Sequence, residues 1–277
     1  MTLAPAPTIR LSGGAGMPAV GLGTWPMDDA QAAEVVAQAL QAGWRLIDTA
    51  ENYLNERGVG EGIRRSGVPR EDIFVTTKFN RQWHSVPGVR QACELSLERL
   101  GLEQIDLLLV HWPNPNQDRY LEAFEGLLRV KEAGLVRAIG TSNFKPAHLQ
   151  RLLDRGWVPE VNQIQLDPWH RRDDLVALHR AHGIVTEAWG PLGRGNSMLS
   201  DPAIVAIAER LGRTPAQVVM RWHVQHGVVP CPKTSDPQRL RENLDVFGFS
   251  LSAADMAVLD AMDRPDPEMF DADSFGH

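Results

Sequence analysis

A (β/α)8 barrel is the fold that three features of the sequence predict. Eight short apolar runs recur along the 277 residues. Most are followed by a segment whose apolar positions repeat at helical spacing. The length is close to the ~250 residues typical of eight such units. Alternation of this kind signals a parallel sheet covered by helices. No linker, low-complexity stretch or short-period repeat interrupts the chain, so residues 1–277 read as a single barrel domain.

The elements follow in order. Thr8-Ile-Arg-Leu11 and Met17-Pro-Ala-Val20 flank Gly13-Gly14, which predicts a hairpin capping the barrel floor. Barrel strands are expected over 19–22, 45–48, 73–77, 105–110, 136–140, 161–164, 184–188 and 227–230. Asp28 and Asp29 precede a helix over 30–41 that stops at Gly43, and Pro87 opens a segment running to Gly101. Ala92, Leu95, Leu97 and Leu100 supply that segment's apolar face, and Ala123, Leu127, Val130 and Lys131 recur at helical spacing before Gly134. Thr214-Pro215 is an N-cap followed by a first-turn proline, opening a helix to His226. Two extra helices are expected, over 202–211 and 237–246, while 252–262 would complete the outer ring.

The competing fold is a doubly wound sheet with a glycine-rich phosphate turn after its first strand. Gly58-Val-Gly-Glu-Gly62 is the only cluster of that kind, and it follows helix-prone Asn55-Glu-Arg57. It also lacks the third glycine at the right offset, so it reads as a helix in close contact with its neighbours.

Composition narrows the function. No apolar run approaches the ~20 residues of a membrane span, and the first residues carry neither a basic cluster nor an apolar stretch of a secretory signal. Cys93 and Cys231 stand far apart and outside any CxxC, which points to a reduced, cytoplasmic protein without structural zinc. A net charge of −7 without a basic stripe argues against nucleic acid as a partner. Only four lysines (Lys78, Lys131, Lys145, Lys233) occur among 28 basic residues, and only two tyrosines, Tyr53 and Tyr120. Where an arginine-rich chain keeps lysine is a pointer, although arginine bias alone would produce the same counts.

In a (β/α)8 barrel the C-terminal ends of the strands converge on one mouth. Strand two ends in Asp48, with Tyr53 five residues on; strand three ends Thr76-Thr77-Lys78; strand four is followed by His111. Each alone has a bland explanation: a turn cap, a solvated lysine, a packing histidine. Together they form a set. A free phenol titrates near ~10, a lysine beside it lowers that value, and an aspartate keeps the lysine charged and aimed. The imidazole would orient a substrate oxygen or assist proton transfer. Such a site gives a proton to a carbonyl oxygen while hydride reaches its carbon.

The sequence here resembles the aldo-keto reductases. Gly21-Leu-Gly-Thr-Trp25, Asp48-Thr-Ala-Glu-Asn-Tyr53 with Asn55-Glu56, Thr77-Lys78 and Val110-His-Trp-Pro113 match successive motifs of the family. So do Gly140-Thr-Ser-Asn-Phe144, Val161-Asn-Gln-Ile-Gln165, Glu187-Ala-Trp-Gly-Pro-Leu192 and Pro232-Lys-Thr234. The match runs from about residue 8 to 263, and Trp189-Gly190-Pro191-Leu192-Gly193 is most similar to the bacterial branch that includes 2,5-diketo-D-gluconate reductases.

The resemblance implies NADPH-dependent reduction of aldehydes and ketones to alcohols, without a metal, by a cytoplasmic monomer; a small dicarbonyl is one substrate it suggests. It makes Tyr53 the proton donor, Lys78 and Asp48 its tuning partners and His111 the group that orients the carbonyl. Ser142, Asn143 and Gln163 match the positions that bind the nicotinamide carboxamide, and Trp189 the one that stacks on its ring. Pro191, Leu192 and Gly193 would line the pyrophosphate path, with Thr24 and Trp25 at the cofactor side of the mouth. Lys233, Thr234, Ser235, Arg239, Glu242 and Asn243 match the segment that grips the 2′-phosphate and adenine, where cations and a hydroxyl suit a dianion at a helix N-terminus. Asp236 departs from the branch, which places a basic residue there. Read as the N-cap of the following helix, it leaves NADPH the expected cofactor over NADH.

Trp25, Trp83 and Trp112 fall in loops over the mouth, where the family lines its substrate pocket with aromatics. His179/His182 and His223/His226 are read as surface helix histidines, because no further metal ligands accompany them. Lys131 reads as a surface residue, and Lys145 as lying at a helix start. The tail from Arg264 onward is acidic and proline-broken, with Phe270 and Phe275 as apolar anchors; a disordered tail and a segment folded over the mouth both fit it. A non-catalytic NADPH-binding subunit on the same barrel is the alternative to the enzyme. A barrel hydrolase or lyase would want a metal cluster or a phosphate loop.

Overall fold

A computed structural model describes residues 6–264 and 270–277. Barrel strands β3 (Leu22–Gly23), β4 (Leu46–Asp48), β5 (Phe74–Phe79), β6 (Ile105–Val110), β7 (Val136–Ser142), β8 (Val161–Gln165), β9 (Val185–Trp189) and β10 (Val229–Cys231) pair in parallel, each with the next. Gly21 N–H donates to the Pro230 carbonyl and Gly23 N–H to the Pro232 carbonyl, both at 3.0 Å, so first and last strands meet and the barrel closes. The first strand differs from expectation: β3 holds only two residues, and Ala19 still donates to the Pro7 carbonyl before the hairpin. The last begins two residues late, since Gly227 takes a left-handed turn (φ 70°) that ends the preceding helix.

The hairpin β1 (Thr8–Arg10) and β2 (Gly16–Pro18) pairs Thr8 with Pro18. Its Leu11, Ala15 and Met17 pack against Leu46, Phe74, Leu107, Leu109, Val161 and Val229 inside the barrel, so it plugs the floor as expected. Lys131 is no free surface residue. Its ammonium pairs at 2.6 Å with buried Glu160, whose other oxygen accepts the Gly13 N–H at 2.8 Å and pins the hairpin tip.

The helices are α1 (Asp29–Ala42), α2 (Glu56–Ser66), α3 (Val86–Leu100), α4 (Tyr120–Glu132), α5 (Pro146–Leu153), α6 (Asp173–His182), α7 (Pro202–Leu211), α8 (Pro215–Gln225), α9 (Pro237–Leu244) and α10 (Ala253–Asp260). Asp28 caps α1, accepting from the Gln31 N–H, and Thr214 and Gln217 form a reciprocal capping box on α8. The glycine cluster of α2 is a packing device: a Cβ at Gly58 would lie 2.1 Å from the Asp29 carbonyl oxygen, and one at Gly60 2.1 Å from that of Leu100. Only bare backbone lets α2 wedge between α1 and α3. One expectation is reversed. It is α9 that packs between α8 and α1, with the Trp44 indole donating to the Leu240 carbonyl at 3.0 Å, and so completes the ring; α10 packs outside on α7. Two helices beyond the ring remain, α7 and α10. His179 and His223 are also buried, not on the surface: the His179 nitrogens meet Asn162 and Thr186, and those of His223 meet the carbonyls of Val219 and Leu166.

Strand parity positions the site. Side chains alternate along a strand, and Leu46, Phe74, Leu107 and Leu109 point into the barrel, so Asp48, Thr76, Lys78 and His111 follow them inward. Ile47, Val75, Leu108 and Val110 face the helix layer.

Candidate active site

Asp48 at the end of β4 and Lys78 on β5 meet inside the barrel mouth. The Lys78 ammonium lies 2.7 and 2.8 Å from the two Asp48 oxygens and 3.0 Å from the Thr49 carbonyl, with no exposure to solvent. The Tyr53 hydroxyl oxygen is a fourth and longer acceptor, 3.4 Å from Nζ, so its own O–H stays free to donate. Gln163 completes the cluster, donating to Asp48 Oδ1 at 2.9 Å.

Tyr53 ends a single 3-10 turn, Glu51–Tyr53, whose supports are the Asn55-Glu56 pair and Glu51. Asn55 accepts from the Thr49 hydroxyl at 2.7 Å and donates to the carbonyls of Thr24 and Met27. Glu56 accepts from Thr77 at 2.6 Å and from Arg99 at 2.5 Å. These buried bonds tie the turn to β5, α3 and the loop after β3. The Tyr53 and His111 rings meet edge to face, centroids 5.8 Å apart.

The electrostatics correct one expectation. Burial raises the Tyr53 phenol, the charge of Lys78 pulls it down, and the balance lies above the ordinary value. Lys78 feels desolvation, but Asp48 and Tyr53 outweigh it and hold it above the ordinary lysine range. His111 is pushed well below the ordinary imidazole value by burial, with Lys78 and His277 adding to the effect, and is neutral at pH 7. Glu187 on β9 was not foreseen. It is fully buried, accepts from the Cys231 thiol at 2.9 Å, and is raised to about 7 by burial and by Asp48. The cluster thus has one cation for two carboxyls, and Glu187 titrates close to neutral pH.

A cavity of about 640 Å³ opens from this cluster. Thr24, Trp25, Asp48, Tyr53, His111, Trp112, Ser142, Asn143, Gln163 and Trp189 line it, together with Pro191, Leu192, Lys233 and Arg239. Asn143 ties its wall together: its amide donates to the His111 carbonyl and its oxygen accepts from the Trp189 indole at 2.8 Å. Lys233 and Arg239 are exposed. Asp236 caps α9 as expected, accepting from Gln238 N–H at 2.8 Å, and lies 4.0 Å from the Arg239 guanidinium.

Several expected site residues do not line the cavity. Trp83 is half-buried behind Glu51, to which its indole donates at 2.8 Å, so it serves the loop and not the pocket wall. Gly193, Thr234, Ser235, Glu242 and Asn243 lie beside the cavity without lining it; Thr234 bonds the Asp236 N–H, and Glu242 accepts from Gln238. Conversely, Asn52, Arg194 and His277 line it unforeseen, and Phe270 and Phe275, the apolar anchors of the tail, line it too. The segment 270–277 folds over the mouth: Phe275 stacks edge-on against Trp112 at 4.8 Å, and Asp271 and Asp273 pair with Lys145, the residue capping α5. His148 on α5 also pairs with Asp273, at 3.0 Å. Residues 265–269 of the tail lie outside the described ones. Among the described residues no cluster suits a metal ion, and no helix is long and apolar enough to cross a membrane.

Comparison with known proteins agrees over nearly the whole chain. Residues 14–264 match the Aldo/keto reductase family. An aldo-keto reductase of Mycolicibacterium vanbaalenii is 48% identical over 98% of this chain and 99% of its own. The 2,5-diketo-D-gluconic acid reductase B of a Corynebacterium species is 43% identical, covering 93% of this chain and 94% of its own. Among solved structures, a variant of the protein Gox0644 in complex with NADPH superposes with a TM-score of 0.93 at 43% identity, covering 98% and 99% of the two chains.

Proposed function

The chain belongs to the aldo/keto reductase family, and from that premise we propose that it reduces aldehydes or ketones to alcohols with NADPH, Tyr53 supplying the proton. The observation that carries this reading is the buried Asp48–Lys78 pair set 3.4 Å from the Tyr53 hydroxyl, with neutral His111 beside it.

The cavity's donor set suits the cofactor. An indole, Trp189, stands near the polar side chains of Ser142, Asn143 and Gln163, while exposed Lys233 and Arg239 bring positive charge to the same cavity. Those three polar residues would hold the carboxamide, Trp189 the ring, and Lys233 with Arg239 the 2′-phosphate. Bound there, NADPH supplies the hydride that forms the new C–H bond at the carbonyl carbon.

The protein's own residues handle the proton. Because burial keeps the phenol above its ordinary value, Tyr53 holds its proton at neutral pH and enters the reaction loaded. As negative charge grows on the carbonyl oxygen, the Tyr53 O–H bond breaks and the proton moves to that oxygen. The phenolate left behind is stabilised by the charge of fully buried Lys78. Asp48 keeps Lys78 ionised and fixed. His111, neutral, donates to the carbonyl oxygen and orients it without competing as an acid.

Replacing Tyr53→Phe is expected to lower kcat/KM across a carbonyl panel by roughly 10²–10⁴-fold, while NADPH affinity, read by fluorescence titration, stays within about twofold of the parent, as expected when only a transition-state interaction is removed. Turnover retained by the variant would remove Tyr53 from the acid role. A parent that binds NADPH and consumes none would favour a non-catalytic binding subunit.

A further inference from the structure

We propose that Asn52 and His277 form a polar subsite at the mouth that selects carbonyl substrates carrying a hydroxyl on the carbon next to the reacting one. The proposal rests on the reductase reading above and deepens it. The two residues come from distant parts of the chain. Asn52 precedes Tyr53 in the turn after β4, and His277 is delivered by the segment that folds over the mouth. Asn52 Nδ2 and His277 Nε2 lie 2.5 Å apart, and the His277 carbonyl accepts the Arg81 N–H at 3.0 Å. The His277 ring stands perpendicular to His111, centroids 4.9 Å apart. Both residues line the cavity that Tyr53 and His111 line. A substrate whose carbonyl oxygen rests against Tyr53 and His111 therefore has its neighbouring carbons beside this pair.

The chemistry of the pair suits a hydroxyl. Burial and the charge of Arg81 hold His277 below the ordinary imidazole value, so it is neutral at pH 7. With one imidazole nitrogen bonded to the amide, the other nitrogen and the amide's free groups leave the pair a donor and an acceptor, whichever way the amide is turned. The Asn52 side-chain oxygen is buried and has no partner among the described residues. A hydroxyl both donates and accepts, whereas a methyl group in its place leaves these buried polar atoms unpaired. The wall beside the pair is apolar, the Trp112 and Phe275 rings lying 6.1 and 5.8 Å from that of His277. A polar pair set in such a wall discriminates strongly against an analogue that lacks the hydroxyl.

The experiment compares kcat/KM for 2-hydroxypropanal and propanal, which differ only in the hydroxyl next to the carbonyl, in the parent and in Asn52→Val, His277→Phe, the double variant and His277→Gln. The parent is expected to prefer 2-hydroxypropanal by tenfold or more. Each apolar single variant should lose about tenfold on 2-hydroxypropanal, the size of one lost hydrogen bond, and stay within about twofold on propanal. The double variant should lose little more than either single, because the two side chains act as one unit. His277→Gln, which keeps a donor and an acceptor, should retain the preference, and NADPH affinity should be unchanged in all. A parent without the preference, or parallel losses on both aldehydes, would overturn the proposal while leaving the reductase reading intact. A parent that reduces neither aldehyde with NADPH would overturn that reading itself.

Discussion

Lys78 shows how much a single side chain is asked to do. It is fully buried, it donates to Asp48 and Thr49 at short range, and it brings its charge and a longer hydrogen bond to the Tyr53 hydroxyl. An arginine, the cation this chain prefers elsewhere, presents a planar fork that needs more room and different acceptor directions. Lys78→Arg is therefore expected to lower kcat at least ~100-fold, the lower range for loss of acid–base catalysis, while a thermal melt shows a folded protein. A variant with near-parent kcat would show that any positive charge suffices. Strand parity and the family motifs made Asp48, Lys78 and His111 legible in the sequence. Glu187 was not, because a glutamate in an apolar strand gives no local sign that it shares one cation with Asp48.

At the scale of elements, loops and helix ends decide what surrounds that centre. The first turn of α9 satisfies its N–H groups with the Asp236 carboxylate, leaving Lys233 and Arg239 to face an anion. Preference for NADPH over NADH is the expected outcome, checked by kcat/KM for both; a clear NADH preference would show that Asp236 repels the phosphate more than the two cations attract it. On the other side of the mouth, the segment 270–277 is held by ion pairs of Asp271 and Asp273 with Lys145 and by a hydrogen bond from His148, whose imidazole burial holds below its ordinary value, to Asp273. Partly exposed ion pairs weaken with salt. Lys145→Ala is expected to raise substrate KM several-fold, the change shrinking in 0.5 M salt, about where the Debye length falls to ~4 Å, with NADPH affinity unaffected. Equal KM in parent and variant at low salt would deny the latch a part in binding. Elements with strong caps, such as α1 and α8, were readable from the sequence, as was the glycine helix α2. The exchange of roles between α9 and α10 was not: both are short, and only the contact of α9 with α1 tells which closes the ring.

Over the whole molecule, buried histidines link stability to pH. His84 and His179 are both buried and held down at about 4, chiefly by burial, with Arg119 and Arg172 respectively adding to it. In the unfolded chain they titrate near ~6.5. Between these values the unfolded state binds more protons, so stability is full above pH ~6.5 and falls as pH drops toward ~4, by about 3 kcal/mol for each histidine. Urea melts at pH 7, 5 and 4 test this, and His84→Leu should flatten the decline; an unchanged slope in that variant would exclude His84 as a source. The helical spacing of His179 and His223 was visible in the sequence, but their inward face was not, since a histidine on a helix carries no mark of which side meets the sheet.

The hairpin across the floor has one more consequence. With Leu11 and Met17 filling the bottom of the barrel and the Glu160–Lys131 pair fastening the tip, the described residues seal that end. In the reaction proposed above, carbonyl compound and alcohol would then pass by the opposite end, where Trp112 and Phe275 stand.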